Sequence, residues 1–326
     1  MISRFVPHPL VPGGQLQTLV AFAWHEASAF QADEQIHVPL DDGDELVLDL
    51  NHPQFPLDPC PLVYLIHGLG GSSESAYLLR LAQKLTRLGM RVIRHNHRGA
   101  GPHGERARKI YHSGSSRDIL KGLQTVAQRW PDSPLFPIGF SLSGTMLLNL
   151  LSWHRQELMD LPQLKAAMSV CAPIDLERSS QAIDRWRNKH LDAFYVSSLL
   201  TQLLRRGLIE ARSLPRTMPH FTLREFDEAI TAPLAGFRDR LHYYESCSPK
   251  HGVANIRCPT LVLAAADDPV VPAQTVLRAP YSTKVLVSLQ NSGGHLGFIS
   301  RQRTPQGDRR WLDHCVISWI RISLIV

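Results

Sequence analysis

Three short stretches of the chain carry side chains that together could do acyl-transfer chemistry. They are Gly139-Phe140-Ser141-Leu142-Ser143-Gly144, Ala266-Asp267-Asp268-Pro269 and Gly293-Gly294-His295-Leu296-Gly297, and each follows an apolar run. A serine hydroxyl becomes a nucleophile at neutral pH only beside a base, and an imidazole base needs a carboxylate to hold its tautomer. The order serine, aspartate, histidine supplies all three at the ends of predicted strands, where an open parallel sheet places its ligands. Around Ser141 the small residues Gly139, Ser143 and Gly144 permit a sharp strand-to-helix turn that presents the central hydroxyl at a helix N-terminus. The second position after Ser141 is serine where glycine is usual, which makes Ser143 a rival nucleophile. Gly139 before Ser141 and a helix beginning at Leu142 favour Ser141. A developing oxyanion also needs two N–H donors. Leu142, directly after the serine, offers one, and the turn His67-Gly68-Leu69-Gly70-Gly71 offers the other from Leu69.

The rest of the chain must position these residues. Residues 1–35 read as an irregular, Pro-rich lead-in with one short helix, expected to pack on the core. Residues 36–40 and 45–50 alternate apolar and polar around Asp41-Asp42-Gly43-Asp44, the signature of an antiparallel hairpin. Strand patterns follow at 62–66, around Val92-Ile93, at 135–138, 166–170, 260–265 and 284–289. Helical patterns lie between them at 75–88, 116–130 and 142–151, and a last helix is expected over 308–322. The alternation breaks at 175–245, which is charged and helical, with an apolar stripe at Val196, Leu199, Leu200, Leu203 and Leu204. The expected architecture is therefore α/β: a mostly parallel central sheet flanked by helices, its core split into 36–174 and 246–326 by a helical cap insertion over 175–245.

Composition narrows the function. Apolar residues make up 44% of 326, enough for a sizeable core, and the net charge of +6 is spread without a Lys/Arg tract, so nucleic-acid binding is not implied. Cys60, Cys171, Cys247, Cys258 and Cys315 are odd in number and widely spaced, which reads as reduced thiols in a cytoplasmic protein. No signal peptide is apparent, and the apolar end at 316–326 is too short to span a membrane, although peripheral membrane contact is compatible with the sequence. His95-Asn96-His97 has metal-ligand spacing without a supporting pair, so neither a metal site nor a cofactor is expected. His67 reads as a support of the Leu69 turn, the leucine stripe as packing, and Arg205, Arg206, Arg212 and Arg216 as a solvated helix face. Asp267 reads as a loop cap. Asp268, held extended before Pro269, is the better orienting acid, and of the two neighbouring carboxylates only one is expected to reach the histidine loop.

The chain resembles the YheT-like α/β-hydrolases over most of its length. The resemblance rests on Leu16-Gln17-Thr18, His67-Gly68-Leu69-x-Gly71-Ser72, Arg98-Gly99-x-Gly101, Tyr111-His112-Ser113-Gly114, Gly139-Phe140-Ser141-Leu142, Ala172-Pro173, Arg224-Glu225-Phe226-Asp227, Asp267-Asp268-Pro269 and Gly293-Gly294-His295-Leu296-Gly297-Phe298. It implies the α/β-hydrolase fold, a serine esterase activity and the triad Ser141, Asp268 and His295. Ser143 departs from the family, which has glycine there. The expected function is hydrolysis of carboxylic esters of short- to medium-chain acids through an acyl-enzyme, with a small-molecule ester as the partner. An acyltransferase on the same scaffold, or a decayed binding protein, are the alternatives.

Overall fold

The computed structural model describes residues 4–24, 30–102, 104–209 and 221–325. A short helix α1 (Gly14–Ala23) precedes the hairpin of β1 (Glu34–Pro39) and β2 (Glu45–Asn51), whose turn closes at Gly43 with φ 81°. The strands β3 (Leu62–Ile66), β4 (Arg91–Asn96), β5 (Leu135–Phe140), β6 (Ala167–Val170), β7 (Thr260–Ala265) and β8 (Val285–Gln290) complete one sheet of order β1-β2-β4-β3-β5-β6-β7-β8. β2 runs antiparallel to β1 and β4, and every other neighbouring pair is parallel.

Parallel strands need covered faces, and the side-chain alternation of β3 meets that need. Leu62, Tyr64 and Ile66 point into one core with Ile119, Leu123 and Val126 of α3 (Ser116–Arg129) and Met146, Leu147 and Leu150 of α4 (Leu142–Trp153). Val63 and Leu65 point into the opposite core. There they meet Leu78, Leu81, Ala82 and Leu85 of α2 (Ala76–Arg87) and the last helix. Those four residues of α2 are spaced i, i+3, i+4, i+7, so a single stripe faces the sheet. Each leucine buried in this way contributes about 1.5–3 kcal/mol of transfer free energy.

Two boundaries depart from the sequence pattern. β4 continues through Arg94, His95 and Asn96 although only Val92 and Ile93 are apolar, because β4 is paired on both sides and each polar side chain finds a buried hydrogen-bond partner. The helical pattern at 142–151 runs on to Trp153, and a further short helix, α5 (Arg155–Met159), follows. Between β6 and β7 the described residues hold α6 (Leu176–Ile183), α7 (Lys189–Arg205), α8 (Leu223–Phe226), α9 (Ala232–Leu234) and α10 (Arg240–Cys247), and no strand. A π-helical turn at Asp227–Thr231 separates α8 from α9. After β7 come α11 (Ala273–Arg278), β8 and α12 (Trp311–Ile325). Among the described residues no helix is long and apolar enough to cross a membrane.

One buried ion cluster joins α2 to α12. Asp313, 2% exposed, accepts from Arg80 Nε at 2.7 Å and Nη2 at 3.0 Å and from Lys84 Nζ at 2.6 Å. Asp313→Asn removes the carboxylate that both cations share. It should destabilise the fold by about 3 kcal/mol, read from the urea midpoint.

Candidate active site

The turn after β5 is strained in the way the small residues around Ser141 suggest. Ser141 has φ 52° and ψ −121°, with its N–H bonded to Val170 O at 2.8 Å and its carbonyl accepting from Gly144 N at 2.8 Å. Gly139 is required here, since a Cβ would lie 2.4 Å from the Ser143 carbonyl oxygen. The described non-glycine residues with positive φ are Ser141, Cys171, Leu296 and Phe298. The first two follow β5 and β6 and the others flank the His295 turn, so the backbone strain gathers around one point.

At that point the three expected side chains meet. Ser141 Oγ lies 2.8 Å from His295 Nε2, and His295 Nδ1 lies 2.9 Å from Asp268 Oδ2 and 3.2 Å from Oδ1. The imidazole and the carboxylate are 1% and 0% exposed. Asp268 Oδ1 also accepts from the N–H groups of Val270 at 2.8 Å and Val271 at 3.0 Å, which anchors the carboxylate independently of the histidine.

Asp267 corrects one expectation: both aspartates reach the histidine loop. Asp268 takes the ring, while Asp267 accepts from Ser292 Oγ at 2.7 Å and from Gly294 N at 2.9 Å. A second clamp, Gln17 and Thr18 of α1, was present in the sequence only as an unexplained motif. His295 N donates to Thr18 Oγ1 at 2.8 Å, and Gln17 bonds both the N–H and the carbonyl of Ile299. α1 can come this close because residue 14 is glycine: a Cβ there would lie 1.7 Å from the Asp267 carbonyl oxygen.

The turn after β3 presents a single amide between two occupied ones. Gly68 N–H donates to Tyr77 Oη and Gly70 N–H to Tyr111 Oη, each at 2.9 Å. Leu69 N–H lies between them with no protein acceptor among the described residues, and Leu142 N–H, at the start of α4, likewise has none there. The sequence does not single out Tyr77, and it shows Tyr111 only within a motif without a role, because their partners are backbone groups of a distant turn. His67 Nδ1 bonds Gly68 O at 2.7 Å, and Nε2 accepts from His97 N at 3.3 Å. Burial lowers its pKa to about 4, so the ring is neutral. Ser143 is fully buried, with Oγ 2.7 Å from His97 Nε2, and lines neither cavity described below.

Two cavities meet at Ser141. The first, about 870 Å³ with its open mouth, is walled by Leu142, Leu199, Leu203, Phe226, Ile230 and Val270. Its polar lining includes Ser113, Tyr243 and Asp227. The leucine stripe of α7 thus gives Leu199 and Leu203 to a cavity wall as well as to packing. The second cavity, about 940 Å³, is bounded by Phe22, Tyr77, Phe194 and Tyr195 and carries His295, Arg80 and Arg310. His295 opens only on this second side. Arg206 is not on a solvated face: its guanidinium bonds the carbonyls of Ala107 and Lys109. Arg205 is exposed, and Arg212 and Arg216 lie outside the described residues.

Cys171, Asp268 and His295 bring possible metal-ligating atoms within 4.8 Å of one another, but an ion there would have to replace the imidazole–carboxylate bond. His95 and His97 bond each other, Nε2 to Nδ1, at 3.1 Å, so these two nitrogens face each other rather than a common ion.

A sheet of this order, with serine, histidine and aspartate joined at the ends of β5, β8 and β7, defines an α/β-hydrolase. The chain belongs to the YheT-like family of that fold. The family described as Serine aminopeptidase, S33 matches residues 58–283. The YheT protein of Escherichia coli (strain K12), whose name carries the word esterase, is 31% identical over 99% of this chain and 94% of its own. The medium-chain fatty acid ethyl ester synthase/esterase 2 of Saccharomyces cerevisiae is 31% identical over 74% of this chain and 58% of its own length. Among solved structures, the Pyrococcus furiosus esterase Pf2001 superposes with a TM-score of 0.57 at 14% identity, covering 88% of this chain and 91% of that one.

Asp227, in the first cavity's wall, is buried, and burial raises its pKa to about 6 despite the hydrogen bond from Tyr244 Oη at 2.6 Å. A carboxyl whose folded pKa exceeds the unfolded value stabilises the fold below the unfolded pKa and loses that stabilisation as pH rises through the folded one. Asp227→Asn should therefore flatten the fall in stability between about pH 4 and pH 6. At pH 7 it should raise the stability relative to wild type by on the order of 2 kcal/mol, measured as the denaturation midpoint against pH.

Proposed function

We propose that this enzyme hydrolyses carboxylic esters of short- to medium-chain acids through an acyl-enzyme on Ser141. The unbroken hydrogen bonding from Ser141 through His295 to Asp268, at the mouth of an apolar cavity, carries the reading. Asp268 holds the Nδ1–H tautomer, which leaves Nε2 free to take the Ser141 proton as the oxygen attacks the ester carbonyl. The N–H groups of Leu69 and Leu142 receive the oxyanion, a contribution of about 10²–10³ in kcat per donor in comparable sites. His295 then protonates the leaving alkoxide, and a water molecule activated by the same nitrogen releases the acid.

The proton donor also decides which cavity takes which half of the substrate. The leaving oxygen must face His295 Nε2, and His295 lines the second cavity alone. The alcohol part therefore belongs in the second cavity, against Phe22 and Phe194, and the acyl chain in the first, against Leu199 and Leu203. The described residues of 175–245, which leave out 210–220, act as a cap that supplies walls to both. Transfer of the acyl group to an acceptor alcohol in the second cavity is the competing outcome. The name of the yeast relative, which joins ester synthesis to esterase, supports it. The ratio of acid to ethyl ester formed in aqueous ethanol separates the two.

Ser141→Ala should abolish labelling by a fluorophosphonate. Asp268→Asn should lower kcat by about 10⁴ through loss of the tautomer, and Asp267→Asn by about tenfold or less, because the Asp267 carboxylate bonds Ser292 and Gly294 and not the imidazole. Large, equal losses in both aspartate variants would refute the assignment. With p-nitrophenyl esters from acetate to palmitate, Leu199→Ala and Leu203→Ala should shift the preferred acyl length. Phe194→Ala should leave that profile unchanged and alter selectivity among alcohols of one acid.

A further inference from the structure

Two features of the sequence remain outside the reaction, Ser143 and the His95-x-His97 pair, and the fold joins them in one buried line. Tyr64 Oη lies 2.8 Å from His95 Nδ1, His95 Nε2 lies 3.1 Å from His97 Nδ1, and His97 Nε2 lies 2.7 Å from Ser143 Oγ. Ser143 Oγ ends the line on the His67 carbonyl. All four residues are fully buried or nearly so. The order of protons follows from the last member. A carbonyl only accepts, so the Ser143 hydroxyl donates to it and must accept from His97 Nε2–H. His97 Nδ1 then accepts from His95 Nε2–H, and His95 Nδ1 accepts from the Tyr64 hydroxyl. This order needs both rings neutral, and burial lowers the His95 pKa to about 3 and holds His97 well below the usual histidine range. Room for the first member comes from Gly122 of α3, where a Cβ would lie 2.0 Å from Tyr64 Oη.

The line ends at the turn that carries Leu69. His67 is held at two points, its carbonyl by Ser143 Oγ and its ring Nε2 by His97 N–H. The ring in turn donates through Nδ1 to the Gly68 carbonyl at 2.7 Å. Gly68 C=O and Leu69 N–H belong to one planar trans peptide and point in opposite directions, so holding the carbonyl aims the N–H. We propose that Tyr64, His95, His97 and Ser143 are positioning residues: one directed hydrogen-bond line that aims the Leu69 amide at the oxyanion of the Ser141 reaction. The line does chemistry only through that amide, so this inference rests on the esterase reading above.

The test uses the full chain and p-nitrophenyl butyrate. Ser143→Ala removes the hydroxyl. His97→Phe keeps a ring stacked on Tyr111, whose centroid is 4.8 Å away, and cannot donate. Each variant should lose about ten- to a hundredfold in kcat, less than deletion of a donor, with KM within about twofold of wild type. Affinity for butylboronic acid, which presents a tetrahedral oxyanion, should fall by the same factor as kcat/KM. The double variant should be no slower than the worse single one, because the line is already broken. Tyr64→Phe breaks only the far end and should lose a few-fold in kcat, which keeps the test available if the other two variants do not fold. Folded variants with unchanged kcat and boronate affinity, a rise in KM alone, or losses that multiply in the double variant would overturn the proposal. Failure of the wild-type protein to react with a fluorophosphonate would instead overturn the esterase reading.

Discussion

The turn at Ser141 is the constraint on which the site depends. A non-glycine residue at φ 52° costs energy and persists only where its surroundings hold it. Here the surroundings are the sheet itself. Ser141 N–H completes the pairing of β5 with β6, Gly139 lets the Ser143 carbonyl pass against β5, and Gly144 packs against Ala172 and Ser169. The strained serine is held by central strands rather than by a loop, so its hydroxyl has a fixed address. The other groups of the site are arranged around that address.

That arrangement follows one rule, that a group at the site is fastened by a partner outside the hydrogen-bonded line of Ser141, His295 and Asp268. Asp268 is held by the Val270 and Val271 amides, the His295 backbone by Thr18, and the loop between them by Asp267. The amides on either side of Leu69 are occupied by Tyr77 and Tyr111, while the Leu69 amide has no acceptor among the described residues. Buried polar groups are costly when unpaired and rigid when fully paired. A site built this way needs little rearrangement when charge develops on the substrate.

Much of this was legible along the chain. Apolar runs of strand length, each followed by a short turn bearing Ser, Asp or His, locate Ser141, Asp268 and His295, because strand ends are local features and the sheet converges on them. Asp267 departs from the sequence pattern. Alternation along a strand separates neighbouring side chains, but past the end of β7 the chain turns, and both carboxylates reach the 292–295 loop. The sequence places Arg206 on a solvated face because a helix pattern shows periodicity and not what passes beside it. Here the 107–109 segment does, and its carbonyls take the guanidinium.

The sequence by itself determined the element types, the mostly parallel sheet and the order serine, aspartate, histidine, since each of these is written in short-range periodicity and turn chemistry. Tertiary structure alone decided which amides find no acceptor among the described residues and which cavity His295 faces. It also decided that α1 clamps a loop 277 residues away and that Ser143, a possible rival to Ser141, is turned into the protein interior. These are relations between groups far apart in the chain, governed by burial and hydrogen-bond pairing, and no local pattern encodes which distant partner a buried polar group will find.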